Sequence, residues 1–269
     1  MDTDGSVRQS SVNTGNTPFS QGRMDFPWEP LTAEDHRRIQ RDWQRGKGLL
    51  GGDPRLRPSD SLEPAWAEGQ RFIRSLMLET PGSKAAAQFL ESRGAARAIE
   101  LEIGPARADF ILNRARHEPD TLFLGVEVLT AAVRRALVRV ARQKLDNVWF
   151  CDDDVRFALP RLCTSRSLAA VHVLFPDPWW KRRHQHRRLM SPPFLSMLAE
   201  HMAPGGLLHV RSDVPEFMAW TGWLVEQSPD FQPPDMSLAC RLQPYHPTHR
   251  ELWCRSHGLP MSILCCLRT

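Results

Sequence analysis

The sequence predicts an α/β domain: a mostly parallel sheet with helices on both faces. Two observations carry that expectation. Apolar runs of strand length alternate with stretches of helical periodicity, the order that builds parallel sheets through crossover helices. Acidic residues stand just past one strand end after another, where sheets of this kind place their ligands.

Taken in order, residues 1–62 are rich in Ser, Gly, Pro and charge and keep no period. They are expected to form a mostly disordered leader, with a short helical piece around 33–44 that Thr32 could cap, and 63–269 is expected to be the folded domain. From Trp66 the apolar spacing turns helical. "AIELEIG" (98–104) alternates and ends in glycine, as a strand entering a turn does, and "ADFILNRARHEP" reads as the helix after it. "TLFLGVEV" is a buried strand, "TAAVRRALVRVARQKL" a helix capped by Thr130, and "NVWFC" a third strand. Further on, "AAVHVLFPDP" is a strong strand, "SPPFLSMLAEHMAPGG" a helix closed by Gly205 and Gly206, and "LLHVRSD" another strand.

Composition narrows the function. No window reaches the roughly 18 apolar residues that a membrane helix requires, and the N-terminus lacks the regions of a signal peptide, so a cytoplasmic protein without membrane contact is expected. The six cysteines show neither a C-x-x-C pair nor Cys/His ligand spacing, which argues for reduced thiols and no metal. Nothing demands a partner chain. The net charge is +4, yet 181–188 alone holds five Lys/Arg and two His; without those five cations the rest of the chain stands at −1. Focused positive charge of this kind suits a polyanion. A solvated basic loop is the plain alternative, and an outer solvated face is the expectation for the arginines of 130–145.

The acids at strand ends are Glu102, beside Gly104, then Glu127, Asp154, Asp177 and Asp213. Clustered carboxylates repel one another unless donors or ligands offset them, so they mark a site. Glu127 stands about 25 residues after the "EIG" turn, the distance at which such sheets accept hydrogen bonds from ribose hydroxyls. The turn itself, "EIGPARADF", carries Ala106 and Ala108 where a dinucleotide fingerprint has small glycine positions. A nucleoside cofactor without phosphates, such as S-adenosylmethionine, therefore fits better than a nicotinamide dinucleotide. Pro176 and Pro178 hold Asp177 on a restricted backbone. Asp152 and Asp153 read as solvated neighbours of Asp154, and His184 and His186 as phosphate or solvent contacts.

"FPDPWWKRRHQHRRLM", together with "LEIG", "FLGVEV", "NVWFCDDDV", "VRSD" and "THRELWCRSHG", resembles the tRNA (guanine-N7-)-methyltransferase family over about residues 98–264. The resemblance implies a Rossmann-like class I methyltransferase fold that uses S-adenosylmethionine and takes tRNA as its partner. It places Glu102, Gly104, Glu127, Asp154 and Asp177 around the cofactor, with Glu127 on the ribose and Asp154 on the adenine amino group. It places Lys181, Asp213 and the stretch from Thr248 through His249 and Arg250 to Glu251 on the target guanosine and Arg183, Arg187 and Arg188 on tRNA phosphates, with Trp179, Trp180 or Trp253 available to stack on the base. Asp177 is the expected catalytic residue, acting on charge rather than as a base, because guanine N7 has a lone pair and no proton. A reading of a different class, a tRNA-binding member with weakened or lost catalysis, rests on Ala106 and Ala108.

Overall fold

The computed structural model describes residues 98–179 and 188–269. The leader, the helical spacing after Trp66, Trp180, the basic residues Lys181, Arg183 and Arg187, and His184 and His186 lie outside the described residues.

Strand β1 (Ile99–Ile103) leads through a tight turn into α1 (Asp109–His117), and β2 (Leu122–Val126), α2 (Thr130–Gln143) and β3 (Val148–Cys151) complete the first half. After α3 (Val155–Leu162) come β4 (Leu168–Leu174), α4 (Pro192–His201), β5 (Met202–Ser212) and α5 (Pro215–Glu226). A 3-10 segment (Met236–Leu242), α6 (His249–Ser256) and β6 (Ser262–Leu267) close the chain. The strands form one sheet in the order β3-β2-β1-β4-β5-β6, parallel except for β6, which runs antiparallel to β5. The chain winds outward in one direction from β1 and in the other from β4. The crevice at the carboxyl ends of β1 and β4 is thus the switch point where an open α/β sheet receives ligands.

Burial explains why these segments became strands. Every residue of β2 and β3 is buried, as expected of strands covered on both faces. One face of the sheet packs Leu101, Ile103, Val171, Val173, Leu208 and Val210 against α3, α4 and α5. The opposite face carries α1 and α2 over Phe123, Val148 and Phe150, with the 3-10 segment over Leu207 and Cys265. All six cysteines are free, and five are buried. Among the described residues no helix is long and apolar enough to cross a membrane.

Two local expectations are corrected. Thr130 is the first residue of α2 rather than its cap; Leu129 takes the N-cap position with no side-chain bond. Gly205 and Gly206 do not close α4, which ends at His201, but lie inside β5. There, two residues of advance along β4, from Leu168 to Ala170, are matched by five along β5, from Met202 to Leu207. Glycine permits the slip: Gly205 has φ +72°, and a Cβ on Gly206 would lie 2.8 Å from the Ala203 carbonyl.

Candidate active site

A cavity of about 510 Å³ opens at the switch point. Its walls are the turn after β1 (Glu102, Gly104 to Arg107, Asp109), the segment after β4 (Leu174 to Pro178), Asp213 and Val214 after β5, and the first residues of α6 (Thr248 to Arg250). Four carboxylates, Glu102, Asp109, Asp177 and Asp213, therefore line one space.

The turn is held by backbone and by acid. Gly104 (φ +69°) donates its N–H to Val126 O at 2.8 Å. Ala106 and Ala108 also take positive φ, 48° and 57°, a region in which Cβ is strained. Ala106 N donates to Glu127 Oε2 at 3.0 Å, and Leu129 N donates to Glu127 Oε1 at 3.0 Å, so Glu127 ties the turn to the end of β2. Glu102 is 2% exposed and accepts from Ile111 N at 3.1 Å. Burial, with the nearby Asp109 and Glu127 carboxylates, pushes its pKa up to about 8. Arg139 braces the turn from α2 through an ion pair with Asp109 at 2.8 Å, while Arg134 and Arg135 on the same helix are exposed, as the sequence indicated.

Asp177 is exposed between its two prolines, and the residues flanking that triplet, Phe175 (φ 53°) and Trp179 (φ 45°), are both left-handed. Phe175 N donates to Arg211 O at 2.8 Å, and Arg188 Nε donates to Trp179 O at 3.2 Å, which fastens the segment on both sides. Strain concentrated in so short a stretch is characteristic of functional sites. Asp213 meets Arg250 Nη2 at 2.5 Å.

Four sequence assignments look different in three dimensions. Asp154 is the N-cap of α3 and accepts from Arg156 N (2.8 Å) and Arg156 Nε (2.9 Å); it is not among the residues lining the cavity. Asp152 is half-buried and bonded to Thr130, with burial raising its pKa, rather than freely solvated. Glu251 is 0% exposed, so it faces protein rather than a guanosine: it accepts from Arg211 Nη1 at 3.1 Å and also holds the Tyr245 hydroxyl and Arg255. Arg188 is 6% exposed and engaged with Trp179, which sets it apart from a phosphate-facing arginine. Thr248 caps α6 by accepting from Glu251 N at 3.1 Å and still lines the cavity. The T-x-x-E spacing of a capping box was the available signal for both residues. His249 and Arg250, inside the stretch that the resemblance places on the guanosine, line the cavity as well, and Asp109, which was not singled out from sequence, joins them.

A family model described as "Putative methyltransferase" matches residues 96–257. Curated relatives named tRNA (guanine-N(7)-)-methyltransferase include that of Myxococcus xanthus, 39% identical over 116 residues, 43% of this chain and 56% of the relative. That of Paramagnetospirillum magneticum is 40% identical over 140 residues, 52% of this chain and 58% of the relative. The chain thus spans little more than half the length of these two. Against the Streptomyces coelicolor protein of the same name the match is broader, 31% identity over 202 residues, 67% of this chain and 74% of the relative. The family model spans every segment that lines the cavity, and a match over nearly three quarters of a curated relative shows that the chain belongs to the tRNA (guanine-N7-)-methyltransferase family.

Proposed function

We propose that the chain transfers a methyl group from S-adenosylmethionine to N7 of a guanosine in tRNA. The observation that carries this reading is the convergence of three parallel strand ends and the start of α6 on one cavity lined by four carboxylates. That set of acceptors fits a ligand with an ammonium and a sulfonium, and the cavity volume suits a small cofactor with a base beside it. When bound, S-adenosylmethionine supplies an electrophilic methyl group.

The chain's own residues then have separable tasks. Glu102 is positioned for the ammonium. Glu127, buried and not itself among the residues lining the cavity, holds two backbone N–H groups of the cofactor-side turn, and its remaining lone pairs are assigned to ribose hydroxyls at the cavity's edge. Asp213 is an acceptor for the Watson–Crick donors of guanine, in the place where it now takes the Arg250 guanidinium. N7 requires no general base, so the chain contributes orientation and exclusion of water. The methylated base becomes cationic, and Asp177, fixed by its prolines and by the bonds on either side, stabilises that charge as it develops. Lys181 is assigned to the guanosine and Arg183 and Arg187 to phosphates, which position RNA without reading sequence. The second reading, tRNA binding with weakened catalysis, is favoured only by the left-handed Ala106 and Ala108.

The test is transfer of labelled methyl from S-adenosylmethionine to tRNA followed by nucleoside digestion. Label is expected in 7-methylguanosine, and Asp177→Asn is expected to cut turnover by about a hundredfold with tRNA affinity little changed. Robust label in a different nucleoside would refute the reading.

A further inference from the structure

Beneath the cavity, on the sheet face covered by α1, lies a row of polar side chains to which the reading above gives no task. Charged and polar groups inside a sheet are costly unless each finds a partner. Here they do, in one line across three strands. Arg211 Nε on β5 donates to His209 Nε2 at 3.0 Å. His209 Nδ1 meets His172 Nδ1, on β4, at 3.2 Å. His172 Nε2 meets Glu100 Oε2, on β1, at 3.1 Å. Both rings are almost fully buried, at 1% and 0% exposure.

The chemistry gives this row a direction. Arginine only donates, so His209 Nε2 is an acceptor and the His209 proton sits on Nδ1. That proton faces His172 Nδ1, which must accept, and so the His172 proton sits on Nε2 and is donated to the Glu100 carboxylate. An added proton on either ring would set two N–H groups against each other, between the rings or at Arg211. Burial would raise the Glu100 pKa, but hydrogen bonds from His172 and Arg114 outweigh it and bring it down to about 2, while burial and the surrounding cations hold His209 well below the usual histidine range.

Both ends of the row reach the cavity walls. At one end Arg114 of α1 grips Glu100 with two bonds, 2.6 and 3.1 Å, and α1 begins at Asp109 in the cofactor-side turn. At the other end Arg211 Nη1 holds the buried Glu251 of α6, whose first residues line the opposite wall. Phe110 closes the row from above, 4.9 Å from the His172 ring and 5.8 Å from Tyr245.

We propose that Arg211, His209, His172 and Glu100 form a positioning relay that fixes α6, the tRNA side of the site, against α1 and the cofactor-side turn. The proposal rests on the methyltransferase reading, but two of its readouts do not. The relay requires opposite tautomers in its two histidines, which imidazole nitrogen NMR of the full-length chain, assigned with His→Gln variants, reads without any turnover. His209 is expected protonated on Nδ1 and His172 on Nε2 at neutral pH; the same tautomer in both, or a doubly protonated ring, overturns the relay.

A pair of substitutions then tests its role. His209→Gln can still accept from Arg211, whereas His209→Asn can reach only towards His172 and leaves Arg211 Nε without its acceptor, so that Arg211 keeps Glu251 but is cut from the rest of the row. His209→Asn is expected to lower kcat/KM for tRNA by about tenfold and to weaken tRNA binding, with S-adenosylmethionine affinity unchanged, while His209→Gln retains both near the wild-type level. Arg211→Met makes the same prediction from the other side of the joint and replaces His209→Asn if that variant does not fold. Equal tRNA affinity and kcat/KM in the Asn and Gln variants, at equal melting temperature, overturn the positioning role. If the wild-type chain methylates no tRNA, the methyltransferase reading fails, and the tautomers and tRNA affinities still decide the relay.

Discussion

Glu102 is a carboxyl group that the fold holds in its neutral form. Its folded pKa of about 8 exceeds the ordinary carboxylate value, so the folded chain keeps a proton that the unfolded chain releases between about pH 4.5 and 8. The sign follows: whatever stability this site contributes is full below about pH 4.5 and is lost as pH rises towards 8. Glu102→Gln keeps the acceptor for Ile111 N and removes the titration. The variant is therefore expected to melt higher than the wild type at pH 8.5 and to match it near pH 4.5. A cationic ligand beside Glu102 favours ionisation, so S-adenosylmethionine binding at pH 7 is expected to release a proton from the wild type and none from Glu102→Gln, read by calorimetry in buffers of different ionisation enthalpy. Proton release that is equal in the two proteins would remove Glu102 from the ammonium's surroundings. The sequence marked Glu102 through its place at a strand end. It did not mark Glu100, two residues earlier, because that residue acquires its partners only when β1 and β4, some seventy positions apart, come into register.

At the scale of elements, the turn between β1 and α1 shows how a local departure from glycine is distributed. Ala106 and Ala108 both occupy left-handed backbone, each at a cost of roughly 1–2 kcal/mol, of which glycine's greater unfolded-state freedom would return about 0.4–1. The two positions differ in burial. Ala106 is exposed, whereas the Ala108 methyl is fully buried in the cluster formed with α2, where deleting it forfeits roughly 0.8 kcal/mol. Ala106→Gly is therefore expected to raise the melting temperature slightly and to tighten S-adenosylmethionine by up to about tenfold, and Ala108→Gly to be neutral or mildly destabilising. If Ala106→Gly lowers stability without a gain in affinity, the turn tolerates alanine and the weakened-catalysis reading loses its support. Element type was legible wherever period and length agreed, as in β2, β3 and α2. Boundaries were not legible where tertiary pairing decides them: Gly205 and Gly206 look like a helix stop, but the β4–β5 pairing absorbs them into a slipped strand. For the same reason Asp154 looked like a ligand contact, although its carboxylate is satisfied by the cap of α3 and by Arg156.

At the scale of the whole molecule, two charge fields of opposite sign meet at one end of the sheet. Four carboxyl groups line the cavity, Glu102 adding its charge only when a cation sits beside it, and the five Lys/Arg of 181–188 follow the strand end that carries Asp177. A cationic cofactor and a polyanionic RNA are thereby drawn to adjacent places by separate fields. The sequence revealed both fields, since composition and spacing suffice for charge, but it grouped Arg188 with its neighbours, and only burial separates it. This distinction yields a test of the molecular arrangement. Arg183→Gln with Arg187→Gln is expected to reduce the slope of log tRNA affinity against log salt by about 1.5, the counterion release of two phosphate contacts, with S-adenosylmethionine affinity unaffected. Arg188→Gln is expected to leave that slope unchanged and to lower the melting temperature, because its guanidinium is turned to the Trp179 carbonyl and braces the Asp177 segment. A flattened salt dependence in Arg188→Gln at unchanged stability would return Arg188 to the RNA surface. An unchanged slope in the double variant would make the basic run a solvated loop and leave tRNA to be held by α6 and the cavity rim alone.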